Sequence, residues 1–186
     1  PVMVAGSTWE PDEEILQQLM QHAPAWKLIL APHEIHAAHL AAIAKQFPEA
    51  LFFSRYDSYS SAEQQQARVL VIDNIGMLSS LYGYGQLAYI GGGFGVGIHN
   101  TLEAAAYGVP VVFGPKYQKF QEAKDLLELG GGFCIASAEE LRQVFMALQH
   151  PDKRQIAAGA AGKYVLQKSG ATTIIMKYLE TEGLLG

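Results

Sequence analysis

LAYIGGGFGVGIHNTLEAAAYGVPVVFG, residues 87–114, reads as strand, glycine turn, helix and second strand, and that reading decides the fold. Leu87–Gly92 and Val109–Gly114 are near-continuous apolar runs, whereas a half-exposed strand would alternate polar with apolar residues. Runs of this kind belong to strands covered on both faces, the situation inside a parallel sheet. Asn100–Tyr107 between them has helical composition and stops at Gly108, so the unit is strand, crossover helix, strand. The glycines at 91, 92, 93, 95 and 97 then fall at a strand-to-helix turn rather than in a linker. A missing Cβ there permits positive φ and close backbone approach.

The same alternation extends in both directions. Apolar runs at 2–6, 27–31, 50–54, 68–73 and 132–136 predict further strands, and Asp12–His22, His36–Phe47, Ile75–Gly83, Phe120–Leu129 and Ala138–Gln149 predict the helices between them. Two more helices, about Asp152–Lys168 and Ala171–Glu182, close the chain around an elbow at Gly170. The polar segment 56–66 reads as a surface loop. The fold class is α/β: one Rossmann-like domain over residues 1–186, a parallel sheet flanked by helices. In such sheets, ligands sit beyond the carboxyl ends of the strands.

Composition narrows the function. With 186 residues, 49% of them hydrophobic, the chain can bury one substantial core. A net charge of −5, with thirteen Lys and Arg residues scattered and no basic run, argues against nucleic-acid binding. Cys134 is the single cysteine, so no internal disulfide can form, and its apolar neighbours suit a buried small hydrophobe. No apolar stretch approaches the ~18 residues of a membrane span. The chain opens without methionine on a strand-like run, as a fragment of a longer protein would.

The strand ends carry the candidate chemistry. The glycine turn with the start of the next helix offers amides to an anion, although the glycines fit neither G-x-G-x-x-G nor a P-loop, and a plain tight turn is the alternative. Glu103, three residues past Asn100, either accepts from a ribose diol or caps its helix. His99 either meets an anion or satisfies the turn. Ser7 and Thr8 end the first strand before Glu10, Asp12, Glu13 and Glu14, where capping and anion binding both remain open. His33, His36 and His39 invite a metal hypothesis, but their spacing is not that of H-E-x-x-H, and a solvated stripe is the better reading. Ile75, Gly76 and Met77 could flank a flat base, and Lys116 could reach an anion.

Taken in order, GSTWEPDEE, APHE, the block from Asp73 to Phe120 and KFQEA resemble the carboxyl-terminal domain of 3-deoxy-D-manno-octulosonic acid (Kdo) transferases. The block is the most specific part, joining the glycine turn, H-N-x-L-E and G-V-P-V-V-F-G-P in family order. The resemblance implies the second half of a GT-B glycosyltransferase, the domain that binds the donor CMP-Kdo. It implies inverting transfer of Kdo to the lipid A precursor in lipopolysaccharide assembly, without metal or cofactor, at the cytoplasmic face of the inner membrane. It further implies an amino-terminal acceptor domain, absent from this chain, that supplies the general base and through which the full-length protein associates peripherally with the membrane. The donor contacts it implies are Ser7, Thr8, His33, Ile75, Gly76, Met77, Gly93, Gly95, Gly97, Ile98, His99, Asn100, Glu103 and Lys116. Against the family pattern, Trp9 replaces a histidine, Pro32-His33-Glu34 replaces P-R-H, and Thr101 replaces a proline. A UDP-sugar transferase or epimerase and a non-catalytic nucleotide-binding module are the competing readings.

Overall fold

The computed structural model describes residues 1–184. Seven strands form one sheet in the order β3-β4-β2-β1-β5-β6-β7. They are β1 Val2–Thr8, β2 Lys27–Pro32, β3 Leu51–Phe52, β4 Val69–Val71, β5 Leu87–Ile90, β6 Val111–Phe113 and β7 Gly132–Cys134. Every pairing is parallel. Each strand lies where an apolar run predicted it, because burial on both faces leaves few polar residues in the central strands.

Successive residues point to opposite faces and build two cores. Met3, Ala5, Leu28, Leu30, Val71 and Tyr89 share one face with Leu16 and Leu19 of α1 (Glu10–His22), Ile43 of α2 (Ala37–Gln46) and Phe145 of α7 (Ala138–Gln149). Val4, Ala88, Ile90, Val111 and Phe113 turn to the other face. They meet Ala104 of α5 (Leu102–Ala105), Leu126 of α6 (Gln121–Leu129) and Ala161 of α8 (Pro151–Lys168). Cys134 packs half-buried against this second core, and burial pushes its thiol up.

Three predicted segments differ in detail. The expected loop 56–66 holds part of a 3-10 turn, Phe53–Ser58, and a short helix, α3 Ser61–Gln66. The Ser60 hydroxyl accepts from the Glu63 amide while the Glu63 carboxylate accepts from the Ser60 amide, a capping box that the polar composition obscured. The helix expected over Ile75–Gly83 is only Leu78–Leu81 (α4), followed by a 3-10 turn at Tyr82–Tyr84; Gly76, at φ 98°, delays its start. The one expected over Asn100–Tyr107 shortens to the single turn of α5, because Asn100 Oδ1 accepts from the Leu102 amide at 2.9 Å and holds Asn100 outside the helix. Gly170, at φ 106°, makes the elbow before α9 (Ala171–Thr181).

From β1 the chain passes to β2, on to the sheet edge at β3 and back to β4 between them, then crosses to lay β5 on the other side of β1. The sheet's switch point therefore lies between the carboxyl ends of β1 and β5, where the Gly91 amide donates to Gly6 O at 2.9 Å. Beyond those ends a ligand has room to enter. Among the described residues no helix is long and apolar enough to cross a membrane.

Candidate functional site

A cavity of about 330 Å³ opens at the switch point, lined by Ser7, Gly76, Leu78, Ser79, Tyr82, His99, Asn100 and Glu103. Five of these were legible in the sequence: Ser7, Gly76, His99, Asn100 and Glu103. Larger hollows elsewhere, such as the one between Gln17, Phe47 and Arg68, lie away from the strands' carboxyl ends. Ser7 adopts φ 53°, a left-handed conformation that costs a non-glycine residue about 1–3 kcal/mol. The strain is local to the cavity wall. Asn100 Nδ2 donates to Glu103 Oε1 at 3.1 Å, which orients one carboxylate oxygen. The amides of Asn100 and Thr101 meet no acceptor among the described residues.

The glycine turn is built more for packing than for contact. A Cβ on Gly91 would lie 2.2 Å from Ser7 O, and one on Gly93 2.6 Å from the Gly114 backbone. Gly92 and Gly97 take positive φ, 88° and 127°. Most of the turn's amides are spoken for: Gly95 and Gly97 donate to Gly92 O, Ile98 to Lys116 O and His99 to Gly91 O. Besides those of Asn100 and Thr101, the amides of Gly93, Phe94 and Val96 also meet no acceptor among the described residues, and of these five residues Asn100 alone borders the cavity.

Several expected contacts point elsewhere. Thr8 is fully buried, and its hydroxyl donates to Glu13 Oε1 at 2.9 Å. Ile98 is 3% exposed and belongs to the second core. Lys116 reaches back to Gly95 O at 2.5 Å, so its charge clamps the turn from outside the cavity. Gly93 is covered by Gly114, while Gly95 is exposed without lining the cavity. Ile75 is 88% exposed, and the Met77 sulfur accepts from Asn74 Nδ2. Of that expected base-flanking turn, only Gly76 borders the cavity.

The acidic start of α1 is more than a cap. Asp12 is fully buried; its Oδ2 accepts from the Gly92 and Trp9 amides, each at 2.9 Å, and its Oδ1 from the Tyr89 hydroxyl at 2.8 Å. One carboxylate thus ties α1 and β5 to the glycine turn. Burial pushes its pKa up, against those hydrogen bonds. Glu13, also buried and also raised by burial, accepts from Thr8 and lies 3.0 Å from His39 Nε2. His39 Nδ1 is 2.9 Å from Glu34 O. The expected solvated histidine stripe is therefore divided: His39 is drawn inward by Glu13, His36 caps α2, and His33 turns to the site. Sequence spacing could not show this, because Glu13 and His39 sit on different elements.

His33 stacks between two rings. Its centroid lies 4.7 Å from that of Trp9 and 4.3 Å from that of His99, with planes about 30° and 29° apart. Trp9 Nε1 donates to His99 Nε2 at 3.4 Å, a weak bond that requires this nitrogen to be unprotonated. Burial, then the His33 charge, lowers the His99 pKa, with Asp12 opposing. A neutral His99 therefore faces the cavity. Trp9 and His33, two of the departures from the family pattern, thus stack in one row of rings with His99.

No protein-family model matches the chain. A 3-deoxy-D-manno-octulosonic acid transferase of Aquifex aeolicus is 32% identical over 145 residues, covering 75% of this chain and 39% of that protein. Its counterpart in Chlamydophila psittaci is 30% identical over 158 residues, covering 82% of this chain and 36% of that protein. The chain is a homologue of Kdo transferases. It spans little more than a third of the length of these relatives. The C-terminal CMP-Kdo binding domain of WaaA from Acinetobacter baumannii superposes with a TM-score of 0.76 at 23% identity, covering 90% of this chain and 89% of that one. At that identity the likeness is one of fold, and the fold is the carboxyl-terminal half of a GT-B glycosyltransferase.

Proposed function

We propose that this chain is the donor-binding domain of a Kdo transferase and holds the nucleotide of CMP-Kdo in the cavity between β1 and β5. The observation that carries the reading is Glu103, oriented by Asn100, lining a cavity at the switch point of a Kdo-transferase homologue. Its carboxylate accepts from the ribose hydroxyls. The unpartnered amides of Asn100 and Thr101 meet the phosphate and stabilise the charge that develops as CMP departs. Gly76 borders the base. His33, in the place of the family's arginine, offers a ring N–H to the sugar's carboxylate, and its stacking on Trp9 and His99 holds it there.

In the complete enzyme, Kdo passes with inversion to the lipid A precursor at the cytoplasmic face of the inner membrane. An amino-terminal domain supplies the general base and the peripheral membrane contact, and no metal or cofactor takes part. The 186-residue chain alone then binds CMP and transfers nothing. A thermal-shift comparison tests the nucleotide, since a ligand of the native state raises its melting temperature by mass action. CMP raises it more than UDP does; a larger shift with UDP favours a UDP-sugar enzyme. Kdo transfer by the isolated chain would overturn the division of labour.

A further inference from the structure

Tyr82 is 1% exposed, yet it lines the cavity beside Glu103, and among the described residues its hydroxyl has no hydrogen-bond partner. The hydroxyl is seated deliberately close to the backbone: a Cβ on Gly6 would come within 2.1 Å of it, so only glycine at the end of β1 lets it in. Packing alone would be satisfied by phenylalanine, yet the hydroxyl has no protein partner and is not sealed from water, so it opens to the cavity. Burial, and then the Glu103 carboxylate, hold the phenol pKa well above its ordinary value. The group is a donor throughout the physiological range.

The charges around it decide what it can donate to. Glu103 is the one formally charged side chain at neutral pH among the residues lining the cavity, which include no Lys or Arg, and the depressed pKa of His99 leaves that ring neutral. In direct contact with the Glu103 carboxylate and the Tyr82 hydroxyl, a neutral vicinal diol suits the pair better than an anion, which is left to the backbone amides. One diol hydroxyl donates to the Glu103 carboxylate, and a diol oxygen accepts from Tyr82. We infer that Tyr82 is a ligand-binding residue that completes, with Glu103, a site selective for a vicinal diol, here the ribose of the nucleotide. This rests on the donor-binding role proposed above.

Calorimetry of the 186-residue chain with CMP, 2′-deoxy-CMP and 3′-deoxy-CMP tests it, using wild type, Tyr82→Phe and Glu103→Ala. Tyr82→Phe is expected to weaken CMP about tenfold, the scale of one hydrogen bond, and to have no effect on one of the two deoxynucleotides. Its melting temperature should stay close to that of wild type, because the lost hydroxyl had no protein partner. CMP binding that is weakened by Glu103→Ala but not by Tyr82→Phe overturns the Tyr82 assignment alone. An equal loss for all three nucleotides does the same, since it marks a structural effect. Failure of wild type to bind CMP overturns the donor-binding role and this assignment together.

Discussion

Replacing Asp12 tests how the glycine turn is held. Asp12→Ala removes the acceptor of three donors at once: the Gly92 amide, the Tyr89 hydroxyl and the partly buried Trp9 amide. A buried donor left without a partner costs about 1–3 kcal/mol. Trp9 can recover water in part, and removing a buried carboxylate relieves its desolvation, so the net loss should be about 3–5 kcal/mol. That is a large part of the ~5–15 kcal/mol that holds a domain together. Asp12→Asn behaves differently. Its amide oxygen can still accept from both backbone amides, and its NH₂ group can donate to a rotated Tyr89 hydroxyl, so the cost should stay below about 1.5 kcal/mol. Urea denaturation of the three proteins measures both values, and CMP affinity should fall with Asp12→Ala because Gly92 anchors the turn. An alanine variant within 1 kcal/mol of wild type, or an asparagine variant as unstable as alanine, would refute the tether.

Two further outcomes follow from the same geometry. Gly93→Ala should destabilise by about 1–3 kcal/mol, since its Cβ would meet the Gly114 backbone at 2.6 Å, while Gly95→Ala, with its nearest neighbour at 3.8 Å, should stay within ~0.5 kcal/mol; melting curves decide. The raised carboxyls of Asp12 and Glu13 make the folded state bind protons that the unfolded chain has released. Their contribution to stability therefore grows as pH falls through the raised values towards about 4, whereas the depressed His99 works the other way below about 6.5. Urea midpoints should accordingly show wild type gaining on Asp12→Asn as pH falls from 7.5 towards about 4, and a difference constant over that whole range contradicts the shift.

The strands were the most legible part of this chain, because burial on both faces writes itself into runs such as Leu87–Ile90. The one-turn helices α4 and α5 were not, because their lengths depend on a glycine and an Asx turn rather than on apolar periodicity. At the site, Ser7, Gly76, His99, Asn100 and Glu103 could be read from strand ends and turn position. Tyr82 could not: it looks like an ordinary apolar position until Gly6 is laid against it. Asp12 and Glu13 resembled helix caps for a related reason. Their partners, Gly92, Tyr89 and His39, are distant in sequence and meet them only when the sheet sets β5 and β2 on either side of β1.

Calorimetric titration of wild type and Glu103→Ala with CMP tests the central claim most directly. One CMP should bind per wild-type chain, and loss of the carboxylate should weaken it by about tenfold or more, the scale of a charged hydrogen bond, with the melting temperature unchanged. Equal affinity in the two proteins, or no binding by wild type, would contradict the account.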